Sequence, residues 1–199
     1  MIEILFGKAL YKNKLNIDTK KIVDSISETR KAEKHNEDIS TKKSLYVLND
    51  KKYNKLKRTI QKEIDNYTYN IMKWDTEFAI TTSWFTKVDI GESGSMHKHT
   101  NSFLSGVLYL HVTPNSGGIS FFDDLDSITV PSTEYNNLNS STYFVHPTDG
   151  LILIFPSTTY HSVDINKSDH VRYSLAFNVM PVGVVGIETS DSHMNIKLQ

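Results

Sequence analysis

The residues best suited to chemistry in this chain are His97-Lys98-His99, a distant His161 and, eleven residues beyond it, Arg172-Tyr173-Ser174. Side chains at i and i+2 of an extended segment share a face, so His97 and His99 can reach one divalent ion together. His161 follows the apolar run Leu151–Phe155 and the turn at Pro156, which brings a third imidazole from another strand. Three ligands on one side of an octahedral ion leave positions open for a chelating cosubstrate and dioxygen. His35, His146, His170 and His193 lack such company and read as surface or core residues.

The same parity divides the last strand. Arg172, Ser174, Ala176 and Asn178 fall on one face, and Val171, Tyr173, Leu175, Phe177 and Val179 on the other. The second set is an ordinary core face. The first is polar and small, with an arginine that requires an anionic partner if it is buried. A guanidinium matches a carboxylate bidentately, and Ser174 offers a hydroxyl beside it. The competing partner is a protein carboxylate such as Asp149 or Asp164. On the strand Phe103–Val112, Ser105, Val107 and Tyr109 share a face. That makes Ser105 and Tyr109 candidates for hydrogen bonds to a bound acid, with a plain core tyrosine as the alternative for Tyr109.

The elements that must position these groups change character midway. Ile22, Val23 and Ile26 start an amphipathic segment after Asp18-Thr19, which can cap it. After Asn49-Asp50, Tyr53, Leu56, Ile60, Ile64, Tyr67, Ile71 and Trp74 form one apolar stripe on a long helix. Its lysine-rich outer face reads as solvated, because Glu63 and Asp65 interrupt it and no aromatic platform accompanies it. From Thr76 the period becomes two. Phe78, Ile80, Thr82, Trp84, Thr86, Val88 and Ile90 predict a strand with one buried face. Phe103–Val112, Ile119–Phe122, Leu151–Phe155 and Val171–Val179 follow as further strands, with one short strand expected around Ile128–Val130. Short strands joined by Gly, Pro, Asn and Ser turns predict a mainly β protein, a sandwich or jelly roll buttressed by the earlier helices. The expected layout is a strand and helices over 1–75 packing on a barrel of 76–187, then a polar, loose tail of 188–199, all in one compact domain.

Composition excludes several alternatives. The 22 basic and 23 acidic residues nearly cancel, so nothing global calls for nucleic acid or a membrane surface. The absence of cysteine excludes disulfides, thiolate metal sites and a thiol nucleophile, leaving His, Asp and Glu as ligands. The first residues lack the basic front and cleavage site of a leader, and no apolar run approaches the ~18 residues of a membrane span. The expectation is a cytoplasmic protein, in the host cytoplasm if phage-encoded, with a homodimer allowed.

With these residues assembled, the chain resembles the 2-oxoglutarate- and Fe(II)-dependent dioxygenases. It is most similar to oxygenases inferred from phage and bacterial genomes that share an HxH, an SG-x-x-Y-L strand and a closing RxSxxFN strand. Those stand here as His97-Lys98-His99, Ser105-Gly106-Val107-Leu108-Tyr109-Leu110 and Arg172-Tyr173-Ser174-Leu175-Ala176-Phe177-Asn178. Gly150 to Ser157, leading to His161, also matches, so the resemblance covers roughly Trp84 to Asn178. It implies a double-stranded β-helix with iron at its mouth, held by His97, His99 and His161. It further implies that 2-oxoglutarate chelates the iron and sets its distal carboxylate on Arg172, with Tyr109 and Ser174 assisting. The reaction it implies hydroxylates a C–H bond of an unnamed substrate and releases succinate and CO₂. The wider superfamily carries HxD or HxE where this chain has His97-Lys98-His99, so either His99 is the third ligand or a carboxylate from Asp89, Glu92, Asp123 or Asp124 completes the sphere. Two other readings are a cupin-like metal-binding barrel, which leaves Arg172 unexplained and lacks a Glu between Thr100 and Ser105, and a non-catalytic jelly roll serving as a structural or binding module.

Overall fold

The computed structural model describes residue 3 and residues 7–33, 45–123 and 131–198. The strand expected at Ile128–Val130, the candidate ligand Asp124 and His35 lie outside the described residues.

Two sheets face each other. The larger has six strands: β1 (Tyr11–Lys14), β7 (Leu151–Pro156), β4 (Leu104–His111), β9 (Arg172–Val185) and β10 (Met194–Ile196) in order, with β2 (Glu77–Val88) also pairing β9. The smaller runs β3 (Gly94–His97), β8 (Tyr160–Val163), β5 (Ile119–Phe122), β6 (Thr142–Val145). All pairings are antiparallel. This is the jelly roll expected from the alternating strands, in the double-stranded β-helix form that the resemblance implies. Sequence reading left β6 unassigned, and it took the tail as loose where β10 pairs with Gly183 to Val185.

The outer face of the large sheet is covered by helices. Helix α1 (Thr19–Glu33) is capped as anticipated, with the Lys21 amide donating to Asp18 Oδ1 at 3.0 Å. Helix α2 (Asn54–Asp65) buries Leu56, Ile60 and Ile64 against Phe78, Leu175, Phe177 and Val179. The apolar stripe does not continue as one straight helix. Residues Asn66–Ile71 widen into a π-turn, in which the Met72 amide reaches the carbonyl of Tyr67, five residues back. The extra residue per turn keeps Tyr67 buried and rotates Ile71 into solvent.

Between the sheets lies a second, smaller core of Tyr109, Ile119, Phe121, Val145, Leu153 and Phe155. The inward face of β9 completes this lining as its parity predicts: Arg172 and Ser174 are buried, while Tyr173, Leu175, Phe177 and Val179 pack toward the helices. Strand β2 departs from expectation. Its register against β9 slips between Ile80 and Thr82, so Thr81 is an extra residue. Phe78 and Ile80 therefore face the helices together with Phe85, whereas Thr82 and Trp84 turn inward to Asn178 and His99. A single buried face through Phe78, Ile80, Thr82 and Trp84 is corrected to two half-faces.

Candidate active site

The three histidines meet at one end of the barrel. His97 ends β3 and is the direct cross-strand partner of His161 on β8. His99 lies just past β3, its amide donating to the Ser157 carbonyl at 3.0 Å. Ring centroids are 4.4 Å apart for His97 and His161, 5.3 Å for His97 and His99, and 5.2 Å for His99 and His161.

Hydrogen bonds decide which nitrogen each ring offers. His97 Nδ1 lies 2.8 Å from the Ser95 carbonyl and His161 Nδ1 3.0 Å from the Thr159 carbonyl. A carbonyl only accepts, so both Nδ1 atoms must carry the proton. His99 Nδ1 lies 2.6 Å from Asn178 Oδ1, with the same consequence. Every ring is thereby left with an Nε2 lone pair free to bind a metal, the usual arrangement for a ligating histidine. The candidate ligand atoms lie within 4.8 Å of one another. Three nitrogens on one side of an octahedral ion, at about 2.1 Å each, are about 3 Å apart, so the rings must draw together to close on an ion.

Burial favours the neutral form of His161 and His99. Burial, against Phe155 at 5.0 Å and Phe121 at 6.2 Å, pushes the His161 pKa down to about 4, and the charges of His97 and His99 push the same way. Burial likewise lowers His99, opposed by its bond to Asn178 and assisted by His97. Neutral imidazole is the form that ligates.

Among the described residues no carboxylate joins this group. Asp89 pairs with Lys87 at 2.6 Å, Glu92 accepts from the Asp89 amide, and Asp123 pairs with Lys8 at 3.3 Å. Of the other histidines, His146 packs on Phe144, His170 sits beside Asp169, and His193 is exposed.

Arg172 is 2% exposed. One guanidinium nitrogen donates to the Ser116 carbonyl at 3.0 Å, and Nε has no partner. The protein carboxylates proposed for it are engaged elsewhere: Asp149 accepts from the Val112 amide at 2.7 Å and Asp164 from the Ser120 hydroxyl at 3.1 Å. Among the described residues Arg172 has no ion pair. The charge of Asp164 acts on the guanidinium without pairing with it, and a buried cation with a spare donor suits an anion from outside. Ser174 shares its face and is the cross-strand partner of Tyr109. Burial raises the Tyr109 hydroxyl, opposed by the nearby charge of Arg172, so it stays a neutral donor.

Ser105 sits elsewhere. It pairs with Asn178, four residues along β4 from Tyr109, and its hydroxyl lies 2.9 Å from His99 Nδ1 and 2.8 Å from Ser157 Oγ. It belongs to the support of His99 rather than to the anion pocket. Sequence reading also assigned no role to Trp84, whose ring lies 5.9 Å from that of His99, or to Asn178 beyond its place on the inward face.

Residues 82–178 match the family model described as "Putative 2OG-Fe(II) oxygenase". No curated protein matches the chain. Solved structures of similar fold include a prolyl-4-hydroxylase from Pseudomonas putida, at 16% identity and TM-score 0.56, covering 86% of each chain. The epimerase SnoN from nogalamycin biosynthesis, described as α-ketoglutarate dependent, gives 13% identity and TM-score 0.60 over 92% of this chain and 81% of that one. HygX from Streptomyces hygroscopicus, solved with nickel and 2-oxoglutarate bound, gives 8% identity and TM-score 0.58 over 87% of this chain and 82% of its own. Residues 82–178 hold the three histidines, the buried arginine and all of the smaller sheet, and over that span, just under half of its length, the chain is similar to the 2OG-Fe(II) oxygenase family.

Proposed function

We propose that the chain is a 2-oxoglutarate- and Fe(II)-dependent dioxygenase that hydroxylates a C–H bond, with His97, His99 and His161 as the iron ligands and Arg172 as the anchor of the cosubstrate's distal carboxylate. The observation that carries the reading is the combination of three Nδ1-protonated imidazoles with a buried guanidinium that has no ion pair among the described residues. Bound together, ferrous iron, 2-oxoglutarate and dioxygen supply oxidative decarboxylation to succinate and CO₂ coupled to insertion of one oxygen atom into substrate.

The residues of the chain bind, orient and exclude water. Arg172 neutralises a carboxylate and aligns it bidentately, with Ser174 and Tyr109 donating beside it. Phe121 and Phe155 keep water from one side of His161. A cavity of about 550 Å³ is lined by Lys12, Phe121, Asn137, Tyr143, Phe155 and Thr159, with Phe121 and Phe155 between it and His161 and no histidine in its wall. We assign it as the substrate entrance, in keeping with the Asn- and Ser-rich segment from Glu134 to Thr142. No helix among the described residues is long and apolar enough to cross a membrane, and we propose the cytoplasm as its location.

The test is succinate formation from labelled 2-oxoglutarate by iron-loaded protein. Wild type is expected to release succinate, slowly without substrate, and His161→Ala and Arg172→Met are expected to lose it. Absence of succinate from iron-loaded wild type, with or without candidate substrates, overturns the assignment.

A further inference from the structure

Three polar side chains on adjacent strands stand side by side beneath His99. Thr82 on β2, Asn178 on β9 and Ser105 on β4 are direct cross-strand partners in turn. They reach this level together only because the extra Thr81 turns Thr82 inward. Asn178 Nδ2 donates to Thr82 Oγ1 at 3.0 Å, the orientation that leaves Oδ1 free for His99. Its Oδ1 then faces His99 Nδ1 at 2.6 Å and also accepts from the Ser105 hydroxyl at 3.0 Å. Ser105 is held in turn by Ser157, 2.8 Å away, whose hydroxyl donates to Ser102 at 3.0 Å. Ser105 and Ser157 are 1% and 0% exposed, so water offers His99 no easy substitute on that side.

The three ligands differ in this respect. His97 and His161 lean on backbone carbonyls two residues away in their own strand segments. His99 lies outside the ladder and has a side-chain acceptor carried by the opposite sheet. Its orientation therefore depends on residues that substitution can change.

We infer that Asn178 is the positioning residue that holds His99 as an Nε2 metal ligand, with Thr82 tethering its amide and Ser105 bracing its oxygen. The inference rests on the metal-site reading above. Turning the amide round would set its NH₂ against the Nδ1 proton, and the ring would have to rotate or change tautomer, withdrawing Nε2 from the ion. Loss of an outer partner of a ligating histidine typically weakens metal binding about 10–100-fold.

The experiment is calorimetric titration of full-length protein with Ni(II), together with the visible absorption of the Co(II) form and the metal-free melting temperature. Asn178→Ala is expected to weaken Ni(II) by about 10–100-fold and to alter the Co(II) spectrum. Asn178→Asp, which keeps an acceptor in place, is expected to retain or tighten binding. Thr82→Val should resemble Asn178→Ala, while Thr82→Ser, which keeps the hydroxyl, should restore wild-type affinity. Thr82→Val and Thr82→Ser separate the amide argument from folding defects, since both leave Asn178 in place. If Asn178→Asp binds as weakly as Asn178→Ala, or if Thr82→Val binds and absorbs like wild type, the inference is overturned while the metal site stands. If wild type itself binds no Ni(II), both fall.

Discussion

His97 and His161 are directly opposed across the β3–β8 ladder, with ring centroids 4.4 Å apart, so two of the three candidate ligands are fixed to each other by backbone pairing. Neither Nδ1 can turn toward the ion without breaking a bond to a carbonyl. The pair is a candidate half-site that His99 would close.

Removal of any one imidazole should therefore abolish tight metal binding with little effect on the metal-free fold at the exposed position. For His97→Ala, we expect the rise in melting temperature caused by Ni(II) to disappear while the metal-free melting temperature stays near wild type. Thermal melts with and without Ni(II) check this, because a ligand that binds only the native state at about 100 times its Kd adds about 2.7 kcal/mol.

Arg172 gives a test with opposite signs for fold and function. Arg172→Met removes a cation buried without a carboxylate, so stability without cosubstrate should not fall and should rise if methionine packs well. Affinity for 2-oxoglutarate should drop by about 30-fold, equivalent to about 2 kcal/mol for hydrogen bonds to a charged group. Denaturant titration reads the first effect and calorimetry with 2-oxoglutarate the second.

The pH dependence of the metal-free protein follows from His161. Burial holds its pKa at about 4 in the native state, against 6.5 when unfolded. As pH falls, the unfolded chain takes up the proton first. The contribution of the neutral ring is thus fully present above about 6.5 and is lost as pH drops toward 4. Chemical denaturation across that window should show stability declining with acidity, and His161→Gln should flatten the decline.

Gly106 offers a test confined to the fold. A methyl group there would lie 2.2 Å from the Phe177 ring, which is fully buried under the helices. Gly106→Ala should cost about 1–3 kcal/mol or more in denaturant titrations, as overpacking does, while Ni(II) affinity of the folded fraction is retained.

How much of this was legible in the sequence follows from what strand alternation encodes. Period two assigns a side chain to a face, and that placed Arg172, Ser174 and Asn178 inward and Leu175 and Phe177 against the helices. It does not encode height along the strand relative to other strands. Ser105 and Tyr109 share a face, yet register sets one beside His99 and the other beside Ser174. Nor does it announce an extra residue. Thr81 looks like any strand threonine, and only pairing with β9 reveals that it resets the parity of Trp84. The π-turn after α2 is hidden in the same way, since Tyr67 and Ile71 keep ordinary helical spacing in the sequence although the backbone separates them.

That reset in β2 has a consequence for how the chain tolerates change in length. Deleting Ser83 would swap inside for outside along the remainder of the strand, sending Phe85 to the histidine end and Trp84 into the helical layer. Loss of Thr81 would instead remove only the extra residue and leave every rung with β9, and every face of β2, as it is. Any other shortening of β2 must come in pairs, or at its Glu77 end, where no rung beyond it has a side to lose.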